Sequence, residues 1–136
     1  MKIGLYLDPI SMQILKNGIF VSCEPKDRIE KISPGLTNER VAEVGHTYLV
    51  CDMRKEELGK AKLVEAFTTT FGDPNPRLLQ LIGFENSLER FHSEYSAFYK
   101  QQFPDEDLIE ETELFVTVYT PVRDSKLLFI NEFLQS

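Results

Sequence analysis

Ser22 and Glu24 are the polar pair in this sequence best placed to do chemistry. They alternate with Val21 and Cys23 in the run GIFVSCE, so on a strand they share the face turned away from those apolar neighbours. A hydroxyl and a carboxylate on one strand face can hydrogen-bond a ligand, and the cations of Lys26 and Arg28 follow closely in sequence. The ordinary alternative is an exposed strand face carrying solvated charges. Thr68-Thr69-Thr70-Phe71-Gly72 offers hydroxyls beside a flexible turn, which suits a base or a phosphate. It lacks the glycines and the lysine of a P-loop, and threonine-rich strand ends are also common in plain structure.

Other reactive residue types lack the company that chemistry requires. His46 and His92 are the only histidines, and no H-x-H, C-x-x-C or H-E-x-x-H spacing occurs. No metal site and no cofactor is therefore expected. Cys23 and Cys51 each sit among apolar residues, so both read as inert buried thiols, and two cysteines make no disulfide framework.

The elements that must position these residues follow from pattern. Ile3, Leu5 and Leu7 alternate as a first strand; Asp8-Pro9 opens a short helix that Asn17-Gly18 ends. Residues 18–24 form a strand that Pro25 closes, and residues 25–45 read as a long, partly ordered excursion. Residues 46–53 and 60–70 are strands around a turn. Asn75 caps, and Pro76 starts, a short helix that Gly83 stops. Asn86, three before Glu89, has capping-box spacing for a helix that places Leu88, Phe91, Tyr95 and Phe98 on one face. Residues 114–119 (LFVTVY) form a strongly β-prone strand.

Size and charge set the outer limits. A chain of 136 residues suits one compact domain. The formal net charge of −7 argues against a broad basic face that grips duplex nucleic acid. The charge is uneven: residues 1–62 carry net +1 and residues 63–136 net −8, with six acidic and no basic residues in 105–113. Lys26, Arg28, Lys31, Arg54, Lys55, Lys60 and Lys62 supply a modest basic side, enough for a nucleotide or a short single strand. Tyr48 and Phe20 are stacking candidates there, although strand aromatics are more often core. No apolar run approaches the ~20 residues of a membrane span, and no secretory leader precedes the first strand, so a cytoplasmic location is expected. In the tail, Leu127, Ile130 and Leu134 share one helical face, which would pack on the domain or form a homodimer contact.

Three stretches together resemble the ASCH domain of the PUA-like superfamily. They are Gly59-Lys60-Ala61-Lys62-Leu63-Val64, then Phe67-Thr68-Thr69-Thr70-Phe71-Gly72-Asp73, then Gly83-Phe84-Glu85-Asn86-Ser87-Leu88-Glu89-Arg90-Phe91. Gly18 to Glu24 matches that family's early strand, and Val44-Gly45-His46 stands where it commonly has V-G-D. The resemblance covers most of residues 3–121. It implies an α+β domain, a small PUA-like β-barrel decorated with about three helices and holding a cleft between barrel and helices. Residues 1–136 would form that single domain, with 122–136 as a C-terminal extension.

ASCH domains are linked to RNA metabolism, and some hydrolyse N4-acetylcytidine. The hydrolases use a lysine after the glycine, a threonine on the same strand, and a later glutamate. Here the lysine position falls on Ile19 or Phe20, the threonine position on Ser22, and the glutamate position on Ile82. Hydrocarbon side chains neither attack a carbonyl nor move a proton, so no catalytic residue is carried over. The resemblance thus implies a non-catalytic module that binds RNA, a nucleoside or a nucleotide through Ser22, Glu24, Lys26, Arg28, Thr69 and Thr70. The alternatives are a hydrolase of a modified nucleoside or RNA with a rearranged site, and a protein-interaction module using the acidic half and the tail.

Overall fold

A computed structural model of the chain describes residues 2–6, 19–51, 56–84 and 87–122. Five strands and four helices occur among them. The strands are β1 (Lys2–Tyr6), β2 (Phe20–Pro25), β3 (Thr47–Cys51), β4 (Glu57–Thr70) and β5 (Glu113–Pro121). The helices are α1 (Lys26–Ile32), α2 (Leu36–Ala42), α3 (Pro76–Ile82) and α4 (Leu88–Gln102). They form one sheet in the order β1-β3-β4-β5-β2, parallel between β1 and β3 and antiparallel elsewhere. Register shifts at Val50/Cys51 and Leu63/Glu65 mark bulges that bend the strands. The antiparallel strands curl into a half-barrel, so the architecture is α+β with a small barrel-like sheet, as expected.

β5 explains the layering. From Leu114 to Tyr119 every residue is buried, so both faces of this strand are covered. Leu114, Val116 and Val118 join Phe71, Leu78, Leu81, Phe91 and Tyr95 in one core beneath α3 and α4. The alternating residues Phe115, Thr117 and Tyr119 face the other way. There the Tyr119 ring meets Tyr48 edge-on at 5.8 Å. Arg40 of α2 lies 4.8 Å over the Tyr48 ring and pairs with the buried Glu43 at 3.5 Å.

The capping chemistry at α3 is as the sequence implies. The Asn75 side chain accepts from the Arg77 N–H at 2.8 Å, Pro76 opens the helix, and Gly83 closes it at φ 83°. Three expectations need correction. Residues 26–42 are two short helices, not an excursion; α1 buries no residue and α2 buries only Thr37, so no apolar period announces them. Their junction is held by Glu30, whose carboxylate accepts from the Gly35 and Thr37 N–H groups at 3.1 and 3.2 Å. Those bonds hold the Glu30 carboxyl below its ordinary value. The α4 cap is Ser87, which accepts from the Arg90 N–H at 3.1 Å; Asn86 lies outside the described residues. The buried stripe of α4 is Phe91, Tyr95 and Tyr99, while Leu88 is exposed and Phe98 half-buried. The four described helices on the curled sheet fit the expected α+β barrel with about three helices. The expected helix near Asp8 and the tail beyond Val122 lie outside the described residues.

The loop from Phe103 to Thr112 returns α4 to β5 and is stitched to the β4–α3 turn. The Phe71 and Gly72 N–H groups donate to the carbonyls of Thr112 and Glu110, both at 2.9 Å. A Cβ on Gly72 would sit 2.7 Å from the Glu110 Cβ and 2.9 Å from its Cα, where no real side chain fits. Gly72→Ala should therefore cost about 1–3 kcal/mol, because backbone must move to admit one methyl. Urea unfolding of the variant checks this, and an unchanged midpoint would contradict the close approach.

Candidate functional site

β2 delivers its polar residues as alternation requires. Ser22 pairs with Thr117 and Glu24 with Phe115, which places both on the face away from α3 and α4. Val21, Cys23 and Pro25 pair with Val118, Val116 and Leu114 and turn toward the helical core. The Tyr95 hydroxyl locks α4 onto this strand by donating to the Cys23 carbonyl at 2.5 Å. Burial pushes the Cys23 thiol up to about 12, against a smaller opposite effect from the Tyr95 hydrogen bond. Cys23 is thus a protonated, unreactive thiol at neutral pH. The Cys51 side chain lies outside the described residues.

Where β2 ends and α1 begins, two adjoining hollows open. A notch of ~40 Å³ between β2 and α4 is lined by Ser22, Glu24, Arg28, Tyr95, Tyr99 and Phe103, among others. It has room for a water or two and no more. A groove of ~420 Å³ continues from it between α1 and the 103–112 loop. Pro25, Ile32 and Leu108 give this groove apolar walls, while Asp27, Arg28, Lys31, Glu106 and Asp107 supply charges of both signs. That volume lies within the range of small-molecule sites.

Arg28 and Tyr99 border both hollows. The Arg28 guanidinium stacks on Phe103 with 3.5 Å from its central carbon to the ring centre. Its Nη1 donates to Glu106 Oε2 at 3.2 Å, and the Tyr99 hydroxyl donates to the same oxygen at 2.8 Å. Burial, then the Glu106 hydrogen bond and charge, push the Tyr99 phenol up to about 12; Arg28 opposes this. A neutral phenol therefore stays a donor, and Glu106 stays fixed beside Arg28 through the physiological range.

The six residues singled out in the sequence separate here. Ser22 and Glu24 border the notch from β2, with their side chains on the strand face away from α4, and Arg28 borders both the notch and the groove. Lys26 opens α1, half-buried, with its charge felt by Glu30. Thr69 and Thr70 line neither hollow. The Thr69 hydroxyl accepts from the Asn75 N–H at 2.7 Å, and the Thr70 hydroxyl donates to the Asp73 carbonyl at 3.1 Å. Both close the turn before α3. Thr69 pairs with Leu114, which pairs with Pro25, so two strand spacings, roughly 10 Å, separate it from β2.

Two positions of the hydrolase pattern have apolar tasks. Ile19 and Ile82 pack against the core beneath α3 and α4, and the Phe20 side chain lies outside the described residues. His92 is half-buried: Nε2 lies 2.7 Å from the Phe71 carbonyl, and the ring stacks on Phe71 at 4.8 Å. Among the described residues, no group of three or more His, Cys, Asp or Glu is placed to hold a metal ion. Nor is any described helix long and apolar enough to cross a membrane.

Tyr99, Phe103, Glu106 and Asp107 were not singled out as site residues by sequence reasoning. A signal was present for the first two. Phe91, Tyr95, Tyr99 and Phe103 recur every four residues, and each neighbouring pair of rings is in contact at 4.9–6.5 Å. Nothing local announces that Glu106 folds back on Arg28, 78 residues earlier.

No protein-family model matches the sequence, and no curated protein matches it. Among solved structures, the chain is similar to a protein of family DUF984 from Enterococcus faecalis V583. The TM-score is 0.61 at 15% identity, covering 90% of this chain and 76% of that one. It is also similar to an ASCH domain from Lactobacillus crispatus JV V101. There the TM-score is 0.59 at 11% identity, covering 88% of this chain and 78% of that one.

The buried acids of the site fix the sign of a pH response. Cys23, ordinarily near 9.0, and Tyr99, ordinarily near 10.0, are both raised to about 12 in the folded state. The folded chain then holds protons that the unfolded chain has lost, so stability falls as pH rises through that interval. Urea unfolding should show full stability below about pH 9 and a progressive loss from there toward about 12. Tyr99→Phe and Cys23→Ser should each flatten the loss, and a midpoint unchanged up to pH 11 would contradict the assignment.

Proposed function

On this ASCH-type, PUA-like fold, we propose that the chain is a non-catalytic module that binds a nucleoside or nucleotide. The binding place is the groove between α1 and the 103–112 loop, with the Ser22–Glu24 notch at its inner end. The observation that carries this reading is the groove itself. Its ~420 Å³, apolar walls and mixed charges suit a flat, polar-edged heterocycle joined to a sugar. Carboxylates of Asp27 and Asp107 can accept from amino groups on a base edge.

The charge balance favours a small ligand over an RNA strand. Asp27, Glu106 and Asp107 outnumber Arg28 and Lys31 along the groove, and the whole chain carries −7. A strand is held by neutralising several phosphates in succession, which this groove does not provide. The non-catalytic part of the reading draws on Ile19 and Ile82, whose hydrocarbon side chains are engaged in core packing. A cytoplasmic site of action fits a ligand drawn from the intracellular nucleotide pool.

Thermal unfolding in the presence of free nucleosides, nucleotides, N4-acylated cytidine and short single-stranded RNAs tests the proposal. A ligand at 100 times its dissociation constant stabilises by about 2.7 kcal/mol, which moves a melt of this size by several degrees. A shift with nucleosides or nucleotides that persists at high salt is expected. A shift with RNA alone that salt abolishes, or turnover of acylated cytidine, would overturn it.

A further inference from the structure

Arg28 is immobilised on one face and at one end, and its remaining edge is unspent. Stacking on Phe103 at 3.5 Å fixes the plane of the guanidinium, and the bond from Nη1 to Glu106 fixes one end. Glu106 is itself held by the Tyr99 hydroxyl. Among the described residues, Nε and Nη2 of Arg28 have no hydrogen-bond partner. That edge is the one that meets a phosphate or carboxylate with two parallel N–H bonds.

Lys31 stands one turn along α1 on the same wall of the groove. It is exposed, and its ammonium forms no ion pair among the described residues. A pre-oriented fork beside a mobile cation is a subsite for one small anion. Glu106 is already paired with Arg28 and Asp107 with Lys100 at 2.6 Å, and among the described residues no cation besides Arg28 and Lys31 lines the groove to receive a second or third phosphate beside Asp27.

We infer that Arg28 and Lys31 form a single-anion subsite. Resting on the nucleoside reading above, the preferred ligand is then a nucleoside monophosphate. Phosphate sits on the Arg28 fork and Lys31, and the base lies along Ile32 and Leu108. The chemistry selects one terminal anion, and it selects against both the bare nucleoside and the triphosphate.

The test is calorimetric titration of the full chain with matched nucleosides, their 5′-monophosphates and 5′-triphosphates, and inorganic phosphate. The variants are Arg28→Gln, Arg28→Lys and Lys31→Gln, each checked by a melt for folding. The monophosphate should bind about tenfold or more tighter than its nucleoside, given charge-assisted bidentate bonds, and at least as tightly as the triphosphate. Arg28→Gln should remove most of the monophosphate's advantage over its nucleoside, read as the ratio of the two affinities in that variant. Arg28→Lys should restore little, because it keeps the charge and loses the fork. Lys31→Gln, at an exposed position that cannot disturb folding, should remove part of the preference. Equal affinity of nucleoside and monophosphate in the unmodified chain would overturn the inference and leave the nucleoside reading standing. Binding of monophosphates and inorganic phosphate without any nucleoside would keep the subsite and discard that reading. A monophosphate preference that survives both Arg28→Gln and Lys31→Gln, or a tighter triphosphate, would overturn the subsite. No binding of any of these ligands would overturn both.

Discussion

Everything in this fold depends on burying β5 on both faces. Six consecutive residues, Leu114 to Tyr119, are out of solvent, so each face needs its own cover. Leu114, Val116 and Val118 are covered by α3 and α4. Phe115, Thr117 and Tyr119 lie on the face that carries Tyr48. Burial of side chains this large is worth about 1.5–3 kcal/mol each, which outweighs any local propensity in the neighbouring segments. Nine residue pairs tie β5 to β4 and six tie it to β2, so its position sets the register of both.

The candidate site is a by-product of that constraint. Pairing to β5 fixes where β2 must stop, and α1 starts there without burying a single residue of its own. α4 is held against β2 by the Tyr95 hydroxyl and must send its chain back to β5 through the 103–112 loop. Loop and helix α1 face each other across a gap that neither fills with core side chains. Arg28, Phe103, Tyr99 and Glu106 bridge it with polar and stacking contacts instead. A partly exposed ion pair of this kind adds little stability. Its consequence is orientation: one arginine is held still at the mouth of a groove.

Legibility in the sequence followed the same division. β5 was readable because both of its faces are apolar or β-branched, giving an unbroken run of strand formers. α3 was readable because Asn75, Pro76 and Gly83 are local signals with local mechanisms. α1 and α2 were not, since helices that bury almost nothing leave no apolar period, and the carboxylate of Glu30 organises them from outside the turn. Ser22, Glu24 and Arg28 border one notch because they lie close in sequence across the β2–α1 junction. Thr69 and Thr70 are the right residue types in the wrong place, since their hydroxyls serve the turn before α3. The other half of the groove is contributed by Glu106 and Asp107, which arrive through tertiary folding and carry no sequence mark beyond an acidic run.

The central claim is that the ligand is bound between α1 and the 103–112 loop. The most direct measurement is a ¹⁵N-resolved NMR titration with a nucleoside monophosphate, following the Arg28 side-chain Nε–H and the backbone amides of Lys31, Leu108 and Thr112. The account predicts that these signals move together and saturate on one binding curve, with the amides of β3 unmoved. Saturable shifts confined to the Tyr48–Tyr119 face of the sheet, with the Arg28 Nε–H unchanged, would contradict it.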